Sequence, residues 1–496
     1  MIVSRSDSRF ARGYYVIGSN ESETRFRVFK IDRLEPYELK IYHDEVEYTS
    51  SEMRELLRRI KEAAKSSSKG TKSEEIPIKC ALGIAGFVRF FEGYYMILVT
   101  TRKRVAQIGP HFVYKVLESH LLYIPNDEVK PASHPDEQRY VKLFQNVDLT
   151  SNFYFSYGYE LTQTLQYNLA LSKPDASEIE ELEIDSDKKI IGIIQQSEKK
   201  FVWNDYLLQP TRDVLSKEWT ITLIHGFIQQ VCLNVVGKPV YLTLIARRSQ
   251  YYAGTRFLKR GSNCKGQVAN EVEIEQIVND ASLTHFHENH YTSYVQLRGS
   301  VPGFWSQDIS KMVPKPQITI DQSDAFAYVA GAHFRSLLKR YGSPVIVFNL
   351  VKKKEKKRHE NQLTDILKDA ISYLNQFLTK EQQIIYTACD MARVSKKKDV
   401  LHLLHHLSEK ILDKTGIFHN KKNNSLQTGV IRTNCVDCLD RTNTAQFAVF
   451  KCALERQLCS LGIIEQKTPD ANSHAADILE DMMEDLGDTL AIQYGG

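Results

Sequence analysis

The segment that most limits how this chain can fold lies near its C-terminal end. An apolar pair, Val430 and Ile431, runs into a polar stretch from Arg432 to Asn443, after which Ala445, Ala448, Val449 and Cys452 recur at i, i+3, i+4 and i+7. That pattern predicts a short strand, a turn and an amphipathic helix in immediate succession. The turn then sits at a helix N-terminus, where the first backbone N–H groups have no partner within the helix and make an anion cradle.

The turn also carries reactive groups. Five residues separate Cys435 from Arg441. A thiol with an ordinary pKa of about 8.5 is converted largely to thiolate by a helix N-terminus and a neighbouring guanidinium. A phosphate monoester needs three things to be cleaved: a strong nucleophile, compensation of its negative charge, and a proton for the departing alkoxide. Cys435 would supply the first. Val436, Cys438, Leu439, Asp440 and Thr442 would curl the backbone round the tetrahedral anion while Arg441 holds two of its oxygens in a planar fork that lysine cannot reproduce. The expected course is a phosphocysteine intermediate followed by attack of water.

Asp437 and Asp440 run against this scheme, because a carboxylate about 4 Å from a phosphate costs roughly 4 kcal/mol per unit charge at an effective dielectric of about 20. A protonated aspartate escapes the repulsion. Asp437 is therefore expected to carry the proton and hand it to the leaving alkoxide oxygen. Asp440 is expected to be structural, as a cap on the helix or an orienting partner for Arg441.

Other readings of the same residues need weighing. A bare Cys-x5-Arg arises by chance, and gains weight only from its place between a strand and a helix. Cys435 and Cys438 also form Cys-x-x-Cys, which suggests zinc or thiol redox chemistry. Zinc needs two further ligands at compatible spacing, whereas Cys452 and Cys459 lie along the following helix. Cys438, Cys452 and Cys459 read instead as buried thiols. His402, His405 and His406 fall in a Leu-rich helical pattern and read as ordinary surface or core histidines, so neither a metal nor a cofactor is expected. Arg256 and Arg260 could hold an acidic headgroup or could tie Glu271 or Glu273 into an internal ion network.

The chain has 496 residues, more than one hydrophobic core usually covers, so two domains are expected. Strand patterns at 14–17, 25–31, 80–91 and 94–100, with a helix at 51–64 and a Ser-, Lys- and Gly-rich loop at 65–75, make residues 1–147 a strand-rich domain. Residues 148–496 read as an α/β domain: strand patterns at 190–194, 240–246 and 345–350 alternate with helical ones at 325–341 and 362–377 around a central mixed sheet. An acidic insertion at about 174–188 is expected to be exposed.

A net charge of only +4 gives no indication of nucleic-acid binding. Eight cysteines without a signal-peptide pattern point to a reducing cytosol. No apolar run approaches the roughly 20 residues that span a bilayer, so membrane contact is expected to be peripheral. The basic runs at 352–358 and 396–398 are either a site for anionic lipid, at about 1 kcal/mol per residue, or a solvated face.

The whole run from Arg432 to Asn443 resembles the signature of the Sac-domain phosphoinositide phosphatases. The similarity extends through Phe153 to Tyr157 with Leu161 and Leu165, then Trp203, Asn204 and Leu207, and Trp219 with His225, Gly226 and Phe227. It continues through Arg247 to Ser249, Ala253 to Phe257 with Arg260 and Gly261, Asn270 to Glu273, and Arg298 to Ser300 with Pro302 and Trp305. The segments 16–20, 123–127, 145–157 and 310–315 are most similar to the branch whose members partner the phosphatidylinositol-3-phosphate 5-kinase.

The resemblance implies a two-domain Sac fold and a phosphoric monoester hydrolase. It implies a phosphoinositide substrate, with removal of the 5-phosphate of phosphatidylinositol 3,5-bisphosphate to give phosphatidylinositol 3-phosphate. It also implies assembly with a lipid kinase and a scaffold protein, and a cytoplasmic, peripheral location on endosomal and lysosomal or vacuolar membranes. Two alternatives stay open: a mainly structural partner with weak catalysis, and a protein phosphatase using the same loop. Residues Gly487 to Gly496 are similar to the closing motif of the Sac domain, beyond which relatives of this type continue, so a shortened form or a divergent gene product is expected.

Overall fold

A computed structural model describes residues 2–6, 13–20, 22–32, 38–67, 81–125, 134–170, 197–282, 289–307, 316–351, 360–389, 400–421, 425–434, 436, 439–465 and 473–495. The chain forms two compact units: one comprises residues 1–104, 113–157 and 203–223, the other residues 105–112, 158–202 and 224–496. The first unit thus runs past position 147 to Tyr157 and takes up Trp203–Leu223 as well.

The first unit is rich in strands. β1 (Ile2–Ser6), β2 (Gly13–Ser19), β3 (Arg25–Asp32) and β4 (Lys40–His43) form an antiparallel sheet, and β5 (Tyr48–Thr49) pairs with β3. The helix expected at 51–64 is α1 (Ser50–Ser67). Its start is a capping box, in which Glu52 accepts from the Thr49 N–H at 2.7 Å and the Thr49 hydroxyl faces the Glu52 N–H at 3.4 Å. Met53, buried at one turn's spacing from Leu56 and Leu57, packs on Ile17 and Val28. Strands β6 (Gly83–Arg89), β7 (Gly93–Ile108), β8 (His111–Pro125) and β9 (Phe153–Ser156) follow, with α2 (Glu137–Gln145) between the last two. Buried Trp219 closes this core, its ring edge-on to Phe29 at 4.7 Å.

The second unit is layered around a mixed sheet. β10 (Ile224–Val235), β11 (Lys238–Arg248), β12 (Val272–Asp280) and β13 (Tyr291–Gly299) are antiparallel. A two-residue turn joins the first pair, with Val236 at φ 51° and Gly237 at φ 79°. A hairpin, β14 (Trp305–Gln307) with β15 (Ile318–Ile320), precedes the parallel half. There β16 (Val345–Asn349) pairs with β17 (Ile385–Ala388), β18 (Phe418–His419) lies against β13, and β19 (Val430–Asn434) runs parallel between β13 and β16. Every residue of β16 and β19 is buried, as expected for parallel strands covered on both faces.

Side-chain alternation assigns the layers. Val345, Val347 and Val430 face α3 (Tyr328–Tyr341) and α4 (Asn361–Leu374), whereas Ile346, Phe348 and Ile431 face α5 (Val400–Thr415), α6 (Asp440–Ser460) and α7 (Ser473–Gly495). Ala445, Ala448, Val449 and Cys452 form the inner stripe of α6. The acidic insertion, both basic runs and the strand pattern at 190–194 lie outside the described residues. Among the described residues, no helix is long and apolar enough to cross a membrane.

Candidate active site

β19 ends at Asn434 and α6 begins at Asp440, so residues 435–439 make the connection at the carboxyl edge of the parallel strands. Open α/β sheets bind ligands at that edge. Cys435, Asp437 and Cys438 lie outside the described residues. The remaining loop positions are held from several directions.

Val436 is buried in the same apolar cluster as Val301, Trp305 and Leu363. Its carbonyl accepts from Arg260 Nη1 at 3.0 Å. The same Nη1 lies 3.3 Å from the Tyr494 hydroxyl, which donates to the Lys259 carbonyl at 3.2 Å. Leu439 is the N-cap of α6, and no side chain caps it. Its carbonyl accepts from the Asn443 N–H at 2.9 Å and, in a longer contact, from Arg298 Nη2 at 3.5 Å. Asn443 is fixed in turn by the Met483 carbonyl of α7, 2.6 Å from its Nδ2. A Cβ on Gly487 would stand 2.7 Å from the same nitrogen, so this close approach requires glycine.

Asp440 is the first residue inside α6 and its side chain is exposed. The N-cap position expected of Asp440 is therefore occupied by Leu439, which cannot cap with its side chain, and the Asp440 carboxylate is left in the first turn, where the helix dipole favours an acid. Nor is Asp440 the described partner of Arg441: the guanidinium Nη1 lies 3.2 Å from Glu360, the residue that opens α4. Glu360 lies two residues beyond the basic run, and nothing in its local sequence distinguishes it. Thr442 is fully buried, and its hydroxyl has no hydrogen-bond partner among the described residues.

Beneath the loop, Arg432 is buried and directs Nε to His333 Nε2 at 2.9 Å and Nη2 to the Ser300 carbonyl. Burial, then the charges of Arg432 and Lys200, push the His333 pKa well below the ordinary histidine range. The ring is neutral, so Nε2 accepts from Arg432 and Nδ1 donates to the Gly266 carbonyl at 3.1 Å. Asn434 Nδ2 donates to Asn349 Oδ1, and Asn349 Nδ2 donates to the hydroxyls of Thr364 and Tyr386 at 3.1 and 3.0 Å.

The two arginines of the 253–261 segment differ. Arg260 reaches the loop, as above. Arg256 donates its main-chain N–H to the Tyr494 carbonyl at 2.8 Å and lays its guanidinium over Phe257 at 4.9 Å, and its Nε has no hydrogen-bond partner among the described residues. Neither makes a described ion pair with Glu271 or Glu273, which corrects the ion-network expectation. Glu271 pairs with Lys200 at 2.5 Å, and Glu273 pairs with Arg247 at 3.1 Å and Arg340 at 3.0 Å. The register explains this: Arg247 lies directly opposite Glu273 across β11 and β12. Among the described residues, no three His, Cys, Asp or Glu side chains converge as metal ligands, and His405 Nδ1 faces the Cys452 sulfur at 3.1 Å.

Comparison with known proteins gives the same family as the motifs. The model of the SacI homology domain matches residues 82–396. The chain is 41% identical over 502 residues to the polyphosphoinositide phosphatase of Schizosaccharomyces pombe, covering 97% of this chain and 56% of that protein. It is 37% identical over 545 residues to phosphoinositide phosphatase SAC2 of Arabidopsis thaliana, covering 97% and 64%. It is 34% identical over 554 residues to phosphatidylinositol-3-phosphatase SAC1 of the same plant, covering 97% and 58%. The chain thus spans between 56% and 64% of the length of these relatives. With a domain match over most of its length and relatives aligned almost end to end with it, the chain belongs to the SacI homology domain family.

Proposed function

We propose that the chain is a phosphoinositide phosphatase that removes the 5-phosphate of phosphatidylinositol 3,5-bisphosphate. One observation carries the chemistry: a buried parallel strand ends at Asn434, and after five connecting residues an uncapped helix begins with Arg441 in its first turn. The carbonyls of Val436 and Leu439 are engaged by Arg260 and Arg298. A loop whose carbonyls are drawn outward to cations can turn its amides toward a common centre, the polarity an anion cradle requires. The orphaned Thr442 hydroxyl adds a donor in the same turn.

In this reading the Cys435 thiolate attacks phosphorus and the bond from phosphorus to the inositol oxygen breaks, while that oxygen takes a proton from Asp437. Water then attacks phosphorus, the sulfur–phosphorus bond breaks, and Asp437 accepts the proton released by the water. Arg441 compensates the charge of the equatorial oxygens in both steps, with Glu360 taking one of the five N–H donors a guanidinium carries. The names of the aligned relatives support a phosphoinositide as substrate. The 5-position, the assembly with a lipid kinase and scaffold, and the peripheral site of action on endosomal and lysosomal or vacuolar membranes belong to the same proposal through the branch the sequence resembles.

The test is phosphate release by wild type and Cys435→Ser from a headgroup-resolved panel of soluble phosphoinositides and from phosphotyrosyl peptides. The proposal expects release from phosphatidylinositol 3,5-bisphosphate with phosphatidylinositol 3-phosphate as product, and none from the variant. Equal turnover by both proteins, or preference for the peptides, overturns it.

A further inference from the structure

The second unit contains a cavity of about 340 Å³ that the chemistry above does not use. Its walls come from the segment leaving β13, the end of β15, the entry to α3 and one face of α4 from Leu363 to Tyr373, and include Val301, Trp305, Ile320, Ala330, Leu363 and Ile366. The segment leaving β13 and the start of α4 follow the carboxyl ends of β13 and β16, the edge at which β19 also ends.

The cavity adjoins the loop through three side chains. Val301, Trp305 and Leu363 share their apolar cluster with Val436. The Trp305 ring faces the guanidinium of Arg260, 5.9 Å away, and Arg260 holds the Val436 carbonyl. Leu363 is one helical turn from Glu360, the partner of Arg441.

We infer that this cavity is a subsite for one acyl chain of the phosphoinositide whose phosphate occupies the loop. The inference rests on the proposed lipid phosphatase activity and adds a determinant of its substrate. Two carboxylates on the cavity wall, Asp324 and Asp369, repel phosphate and exclude a second headgroup as occupant. Asp324 is also committed to the start of α3, accepting from the N–H groups of Tyr328 and Val329 at 2.9 Å each. The remaining lining is mostly apolar. Tyr373 continues it outward, edge-on to Phe377 at 5.2 Å and tilted against Phe326 at 6.4 Å, rings that are 71% and 75% exposed. An acyl chain tethered to a bound headgroup reaches such a hollow at high effective concentration, as an untethered peptide side chain does not.

The experiment compares dibutanoyl and dioctanoyl phosphatidylinositol 3,5-bisphosphate, both below their aggregation thresholds, on the full chain. Each methylene withdrawn from water improves binding by about fourfold, so the dioctanoyl lipid should show a KM at least tenfold lower. Ala370→Trp fills the cavity from α4, and Ile366→Gln makes it polar at similar volume should the larger residue disturb folding. Either variant should erase the chain-length preference while leaving dibutanoyl turnover within about twofold of wild type. Calorimetric titration of the two lipids repeats the comparison without turnover. A wild type that binds by chain length but hydrolyses neither lipid removes the phosphatase reading and keeps the subsite. An equal KM for both lipids, or an unchanged preference in both variants, overturns the subsite. Variants impaired only on phosphatidylcholine vesicles carrying the substrate also overturn it, because the face is then a membrane contact.

Discussion

Glu360 and Arg441 form an ion pair at 3.2 Å, which ties the start of α4 to the first turn of α6. The side chain of Glu360 is 11% exposed and that of Arg441 29%, so the carboxylate is the buried anchor and the guanidinium the more accessible partner. A carboxylate in that place fixes the plane of the guanidinium and also competes with an incoming phosphate for its charge.

The two effects separate kinetically. Glu360→Gln keeps an acceptor and removes the competing charge, so inorganic phosphate should inhibit it more tightly than wild type. Glu360→Ala releases the guanidinium, and kcat should fall about tenfold, equivalent to about 1.4 kcal/mol of transition-state stabilisation. Steady-state kinetics with product inhibition measure both, and unchanged constants in the two variants would make Glu360 a bystander.

Tyr494 supports the loop from a residue's remove, through Arg260 and the Val436 carbonyl. Tyr494→Phe deletes one acceptor of Arg260 Nη1 and leaves the buried ring in place. A single hydrogen bond of this kind contributes about 1 kcal/mol, so kcat should drop about fivefold with KM little changed, and the melting temperature should stay close to that of wild type. A loss confined to stability would assign Tyr494 to packing alone.

The strand, the connection and the helix that frame the candidate site were legible from residues 430–452, because period and polarity switch there within a few residues. The strand proved longer than its apolar pair suggested: Arg432, Thr433 and Asn434 are buried strand residues, and inside the sheet layers Arg432 Nε meets His333 and Asn434 Nδ2 meets Asn349. The reach of Arg260 to Val436, 176 residues away, has no signature in the segment around it. The same holds for Glu360 and Arg441, brought together by the parallel pairing of β16 with β19. The Arg247–Glu273 pairing depended on cross-strand register, which neither strand's own pattern fixes relative to the other.

The neutral His333 makes stability depend on pH. In the unfolded chain histidine titrates near 6.5, whereas the folded value lies well below it, so the unfolded state binds the extra proton as pH falls. Stability is therefore present above pH 6.5 and declines below it by about 1.4 kcal/mol per pH unit. Between pH 7.5 and 5.5, urea unfolding of wild type should lose about 1.4 kcal/mol more than that of His333→Gln, which cannot take up a proton. Parallel losses would mean that the folded protein accommodates the imidazolium.

Arg247, Glu273 and Glu275 are all fully buried, and Arg247 lies 3.1 Å from the first carboxylate and 2.7 Å from the second. Removing the shared cation strands two acids unequally. Glu273 keeps Arg340 and the Tyr341 hydroxyl, whereas Glu275 keeps the Leu165 N–H at 2.7 Å. Burial already raises the Glu275 pKa, with Arg247 opposing it, so Arg247→Met should push it further up. Breaking a buried pair costs about 3–5 kcal/mol, and most of that cost should appear at Glu275. The folded variant then holds a proton that the unfolded chain gives up above about pH 4.3, so its stability rises as pH falls and its deficit against wild type narrows. Arg247→Met combined with Glu275→Gln should recover at least half of the loss at neutral pH, read from urea midpoints at constant slope. If the double variant is no more stable than Arg247→Met alone, the cost lies instead in the contacts of Arg247 with the Leu161 and Gln163 carbonyls, which hold residues 161–163 against the sheet.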